Sequence, residues 1–467
     1  MGFLLAKGFK QKMLLLTAGL CYDEKIICLF GSIPNALIYC ELWNILAIKA
    51  VISSKMELLF HLSSIADKIG NMDEDKRDEH TCCEQRKSDQ PHLSYVVCHS
   101  HCFGGGGHAD FGIFDLGGLF PYYSFHVAVF AFISGYFYRE QAQEAPFSYL
   151  KKKACRLMLP YFGWNLVYGL LVQVLRAKGF NIGSPIGIRT LLIEPFLGGH
   201  QFGLNFASWF VPMLFIIEAV NLFMRKILLW LHLNREGLIL AVSLLGGMLA
   251  VWLSMEGKVW GYYRTIGCLM LLYPIYQWGQ FYRIYLEKRD TLSNGPYFLL
   301  VCGLQFLLLL VSKGRVAYST VWCSGFVNGP LLPFLTAACG IAFWLRIARI
   351  LSPLWKKNGA VDRIGENTFA IMMHHILGFM LVNTLFFLLS ISTLLFADFD
   401  GTAYLNSYEY RYLPMGLEIG KWLYLLAGIC FPLFLQKSLD FIRLKHYSEK
   451  VVRIRERPFG TREDNER

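Results

Sequence analysis

The chain has 467 residues, of which 55% are hydrophobic, 15% aromatic and only 17% charged. Soluble domains carry about a quarter charged residues, so this balance excludes a disordered tail protein, a coiled coil and a disulfide-stapled secreted module. The formal charge of +11 is compatible with nucleic acid, but in so apolar a chain it reflects cytoplasmic loops rich in Lys and Arg, with no nucleic-acid partner expected.

In chain order, residues 11–22 and 26–52 are apolar but carry Asp23, Glu24, Lys25, Glu41 and Lys49. They are compatible with one span, two, or a re-entrant hairpin, so residues 1–66 stand apart as an uncertain apolar region. Residues 67–91 hold eight acids and five bases with no aromatic residue, a solvated loop. Nine apolar stretches follow, at 118–138, 157–175, 206–224, 237–254, 265–282, 297–312, 330–345, 368–396 and 422–436. Lipid forces backbone polar groups to be satisfied inside helices. The fold class is therefore all-α, a polytopic transmembrane bundle of about nine to eleven spans, with a membrane domain over 92–436 and a basic tail over 437–467.

Loop charges set the orientation. Segments 139–156, 225–236, 283–296, 346–367 and 437–467 hold 25 Lys and Arg, while the alternating segments 176–205, 255–264, 313–328 and 397–421 hold nine. Basic loops stay inside, which places the first set and the C-terminus in the cytoplasm of a plasma or inner membrane. The thirteen cysteines are scattered, mostly within apolar runs, and read as small core residues rather than a disulfide framework.

Ionisable groups inside spans are costly and are functional candidates by default. His126 lies in Tyr122-Tyr123-Ser124-Phe125-His126, with Ser134-Gly135 eight residues on. The competing readings are a histidine satisfied by a neighbouring carbonyl and a close helix contact at the small pair. Lys151-Lys152-Lys153-Ala154-Cys155-Arg156 puts Lys153 and Arg156 on one helical face, as a phosphate clamp would need and as plain topological charge would also give. His99-Ser100-His101-Cys102 and His108 surround four glycines; the spacing matches no closed zinc site, so no metal is expected and a histidine base at the outer face fits better. His374 and His375 point about 100° apart, so at most one faces a given cavity. Glu218 in its apolar run requires a partner, and Arg264 opens a span, where snorkelling to headgroups is the plain alternative.

The order of these motifs resembles the acyltransferase-3 superfamily, in particular its fucose 4-O-acetylase-like branch of bacterial membrane proteins. The likeness rests on Phe125-His126 with Phe132-Ile133-Ser134-Gly135-Tyr136, Arg156-Leu157 with Pro160-Tyr161, and Trp209-Phe210-Val211-Pro212. Arg264-Thr265 with Pro274 and Gly279, and Asn367-Thr368 with His374, complete it. The resemblance implies an enzyme moving an acetyl group from cytoplasmic acetyl-CoA, as co-substrate, to a hydroxyl of a cell-surface or lipid-linked saccharide in the bacterial cell envelope. It assigns His101 as base with His99 as its substitute, and matches His126 and His374 to the other catalytic positions. It assigns Lys153, Arg156, Ser134 and Arg264 to the CoA side. In the family an Arg stands eleven residues before the base; here Gln90 stands before His101, and the charged 67–91 loop occupies the place of an apolar helix. That departure favours a third reading, an inactive acyltransferase-like protein. A transporter or flippase for an anionic saccharide, with His and Glu as proton relay, is the alternative from another class.

Overall fold

The computed structural model describes residues 116–351, 353, 359–393, 396–417 and 419–455. The expectations for 1–66 and 67–91, and for His99 and His101, lie outside the described residues. A helix stands at each of the nine expected spans. They are α1 (His126–Tyr136), α3 (Leu159–Ala177), α4 (Phe210–Trp230), α5 (Glu236–Met255), α6 (Tyr262–Phe281), α7 (Asn294–Ser312), α8 (Leu332–Leu351), α10 (Thr368–Ser392) and α12 (Gly420–Arg455). The shorter α2 (Pro146–Lys153), α9 (Ala360–Glu366) and α11 (Gly401–Asn406) lie between them.

Among the described residues, seven helices are long and apolar enough to cross a membrane. The two expected spans outside that set have physical reasons. The helix α1 has 11 residues, short of the roughly 20 that a bilayer core requires. The helix α6 has the length but carries Arg264, Gln277 and Gln280, all buried.

These two helices approach backbone to backbone in the first core. A Cβ on Gly135 would sit 1.8 Å from the Tyr276 carbonyl oxygen, and one on Gly279 would sit 1.9 Å from that of Phe132. Without a hydrophobic drive in lipid, such close backbone approach through small residues is what holds helices together. Pro274 has no N–H to offer the carbonyl of Met270, and α5 packs there through Gly247, whose Cβ would lie 2.9 Å from both that oxygen and the proline ring. Phe120, Phe132, Leu222, Leu272 and Ala337 fill this core.

A second core joins α3 to α10 through Tyr161, Tyr168, Val172, Phe202 and Met373. Between α2 and α3 the helix widens into a π turn over Ala154–Met158. The cause is Pro160, which cannot bond the Arg156 carbonyl and so loosens the turn before it. A third cluster, with Phe379, Phe386, Tyr412 and Tyr424, seats α10 against α12.

The segment after α3 is not a simple outer loop. It runs back along the helix: Arg176 donates to the Gly183 carbonyl at 2.8 Å, Gln173 to that of Ser184 at 3.3 Å, and Phe202 packs on Gly169. Ile182, Phe202 and Leu204 are buried. Irregular backbone beside a spanning helix is tolerated only where protein covers it or a cavity adjoins it, so this segment marks the place to look for chemistry.

Candidate active site

One face of α3 carries Tyr161, Asn165 and Tyr168, all buried, at the i, i+4, i+7 spacing that keeps them in one row. Asn165 is the hub. Its Oδ1 accepts from Gln201 at 2.9 Å and Asn205 at 3.2 Å, while its Nδ2 donates to the Leu191 carbonyl at 3.3 Å. Ser208 closes the group by donating to the Asn205 carbonyl at 2.6 Å. Buried amides persist only with such partners, and here they pin the returning segment to the helix.

Less than a turn beyond Asn165, the Tyr168 hydroxyl meets His374 Nδ1 at 2.8 Å. Both residues are buried. The Trp164 ring stands edge-on to the imidazole with centroids 4.2 Å apart. His375, the next residue, turns to its own helix and bonds the carbonyls of Ile371 at 3.0 Å and Met372 at 3.2 Å. Of the two adjacent histidines, His374 therefore belongs to the polar row.

A second centre lies where Gly198-Gly199-His200-Gln201 meets the start of α6. Arg264 donates to the carbonyls of Val321 at 2.7 Å and Leu197, and its Nη2 lies 3.1 Å from His200 Nε2. A guanidinium has only donors, so His200 Nε2 must accept and the ring proton sits on Nδ1. That Nδ1 is buried and has no hydrogen-bond partner among the described residues. Burial, with the Arg264 charge second, holds the His200 pKa down at about 3, so the ring stays neutral. Phe206 stacks on this ring and Trp322 tilts against it, each with centroids 4.5 Å apart. Tyr408 closes over the neighbouring Gly203, whose φ of +69 and missing Cβ both suit glycine alone; a Cβ would lie 2.5 Å from the Tyr408 ring.

The remaining candidates from the sequence are placed as follows. His126 opens α1, bonds the Tyr122 carbonyl at 2.9 Å through Nδ1 and stacks on the Tyr122 ring at 4.0 Å. Ser134 donates to the Phe130 carbonyl of its own helix at 2.9 Å. Lys153 is paired with Glu218 at 2.8 Å, and this pairing accounts for the carboxylate inside α4. Arg156 is half-buried within the π turn. No hydrogen bond or ring contact joins His126, His374 and Arg264 to one another among the described residues.

Sequence reasoning passed over Asn165, Tyr168, His200 and Gln201. It also passed over Arg225, which is fully buried and held by Glu236 at 2.5 and 2.7 Å and by Gln277 at 2.8 Å. The usable signal was a histidine flanked by glycines in a segment too polar for a span and too apolar for solvent.

The family model described as an acyltransferase domain matches residues 94–435. No curated protein and no solved structure matches the chain.

Proposed function

From the premise that the chain belongs to the acyltransferase-3 family, as its match over residues 94–435 shows, we propose that this membrane protein is an O-acyltransferase. It moves an acetyl group from cytoplasmic acetyl-CoA to a hydroxyl of a cell-surface or lipid-linked carbohydrate. The observation that carries the reading is the buried His374–Tyr168 pair at 2.8 Å beside the amide-pinned segment.

Attack on a thioester joins the acceptor oxygen to the acyl carbon and breaks the carbon–sulfur bond. The hydroxyl proton must go to a base, and the departing thiolate must receive one. With its ring proton on Nδ1 and donated to the Tyr168 oxygen, His374 would keep Nε2 free to exchange a proton with the reacting groups. The Trp164 ring packs against the imidazole with centroids 4.2 Å apart. The resemblance assigns the acceptor-side base to His101, with His99 behind it, and the two histidine positions divide the proton transfers. At His200 the Nδ1–H is a fixed neutral donor suited to an acceptor or carbonyl oxygen, and Trp322, half exposed beside it, offers an apolar face to a sugar ring. Lys153 and Arg156 supply positive charge for the CoA phosphates, Lys153 while sharing its charge with Glu218. The excess of basic residues in alternate loops supports an orientation with a cytoplasmic C-terminus.

The test supplies labelled acetyl-CoA to membranes containing the protein and isolates the saccharide fraction. Alkali-labile label in that fraction, lost in Arg156→Ala, is expected. Label absent from saccharide, together with saccharide uptake into sealed vesicles, would overturn acyl transfer in favour of transport.

A further inference from the structure

We propose that Cys268 and Cys323 are joined by a disulfide in the membrane-embedded protein. Cys268 lies near the start of α6 and Cys323 at the tip of a hairpin, Ser319–Ser324, closed by backbone hydrogen bonds of 2.9 and 3.1 Å. Both are free thiols with buried side chains, and Cys323 Sγ faces the α6 backbone at Gly267, next to Cys268. Three further contacts fix the approach. Cys268 Sγ lies 3.2 Å from the Thr320 carbonyl, Ser254 of α5 donates to the Cys323 carbonyl, and a Cβ on Gly267 would sit 3.0 Å from Cys323 Sγ. Cys323 has φ +47, a left-handed conformation uncommon for a residue with a Cβ, and it turns the thiol toward α6. The hairpin belongs to segment 313–328, which holds two of the chain's 45 Lys and Arg and so falls on the outer, oxidising face.

The bond forms by exchange with the disulfide of a thiol oxidoreductase. The Cys268 thiolate attacks that disulfide, the Cys323 thiol then displaces the mixed disulfide, and the oxidant leaves as a dithiol carrying the two electrons and the two thiol protons. The scattered cysteines thus yield one staple rather than a framework. Its place gives it a use. The stapled hairpin supplies the Val321 carbonyl that holds Arg264 and the Trp322 ring that lies against His200, so the bond fixes one wall of the outer centre.

The test reads thiols and is independent of acyl transfer. Membranes are dissolved in denaturant with one alkylating reagent, reduced, labelled with a second and mapped by mass spectrometry. Cys268 and Cys323 are expected to take only the second label, and an unreduced digest should contain the peptide linking them. First label on both, or a link from either to another cysteine, overturns the proposal. In Cys268→Ser, Cys323 should move to the first label; continued protection would equally overturn it. The wild-type arm needs no variant to fold.

Discussion

Alanine at Gly135 is the sharpest perturbation of the helix pair on which the first core rests. The new Cβ would stand 1.8 Å from the Tyr276 carbonyl oxygen, where ordinary contact begins at 3.4 Å. The atom in the way is backbone on a second helix, so no side chain can swing aside. The α1 and α6 helices must part by about 1.6 Å, at a cost of about 3 kcal/mol, the upper end of ordinary overpacking. Ser134→Ala, one residue earlier, removes only a hydroxyl bonded within its own helix and should cost less than about 1 kcal/mol. Thermal unfolding in detergent, followed by size-exclusion fluorescence, should show a midpoint lowered by several degrees for Gly135→Ala and little change for Ser134→Ala. Equal midpoints for Gly135→Ala and wild type would refute the claim that the Ser-Gly pair exists for close approach.

Three further outcomes are expected. Glu236→Ala leaves the buried Arg225 charge unpaired and should cost about 3–5 kcal/mol; Arg189→Ala, from the exposed pair with Glu194, should cost less than about 1 kcal/mol by the same unfolding measurement. His200, with its pKa lowered to about 3 by burial and then by Arg264, is neutral when folded and titrates in the usual range when unfolded. The unfolded chain therefore binds the proton first, so stability present above about pH 6.5 falls as the pH drops toward 3. His200→Gln keeps an acceptor for Arg264 without the titration, and its unfolding midpoint should depend less steeply on pH over that window. Tyr168→Phe removes the hydroxyl from His374 Nδ1 and should lower the transfer rate by roughly 10- to 100-fold with KM for acetyl-CoA little changed, a split that steady-state kinetics reads.

The spans were legible in the sequence because apolar runs in lipid have one solution, and helices stand at all nine expected places. Two of those helices fall short of spanning criteria for reasons the residues also carry: α1 is short, and α6 is polar. The motif Ser134-Gly135 was legible as a small pair, but its backbone partner, Tyr276, and the matching approach of Gly279 to Phe132 belong to tertiary structure. The site was less legible. Tyr168 and His374 are 206 positions apart, and neither helix pattern says which faces meet. Asn165, Gln201 and Asn205 are ordinary amides until a returning segment brings them together. Arg264 stood out as an ionisable group in a span, but its three acceptors come from two connecting segments whose fold no periodicity describes. Charge singled out Lys153 and Glu218 separately, and only packing shows that they neutralise one another.

The most direct measurement is the initial rate at which labelled acetyl passes from acetyl-CoA to saccharide in membranes carrying wild type or His374→Gln, at matched protein amount and thermal midpoint. Wild type should transfer the label into an alkali-labile ester and His374→Gln should be slower by roughly 100-fold or more. Undiminished transfer by the variant would contradict the role given to the buried His374–Tyr168 pair, and no transfer by the wild type would contradict the acyltransferase itself.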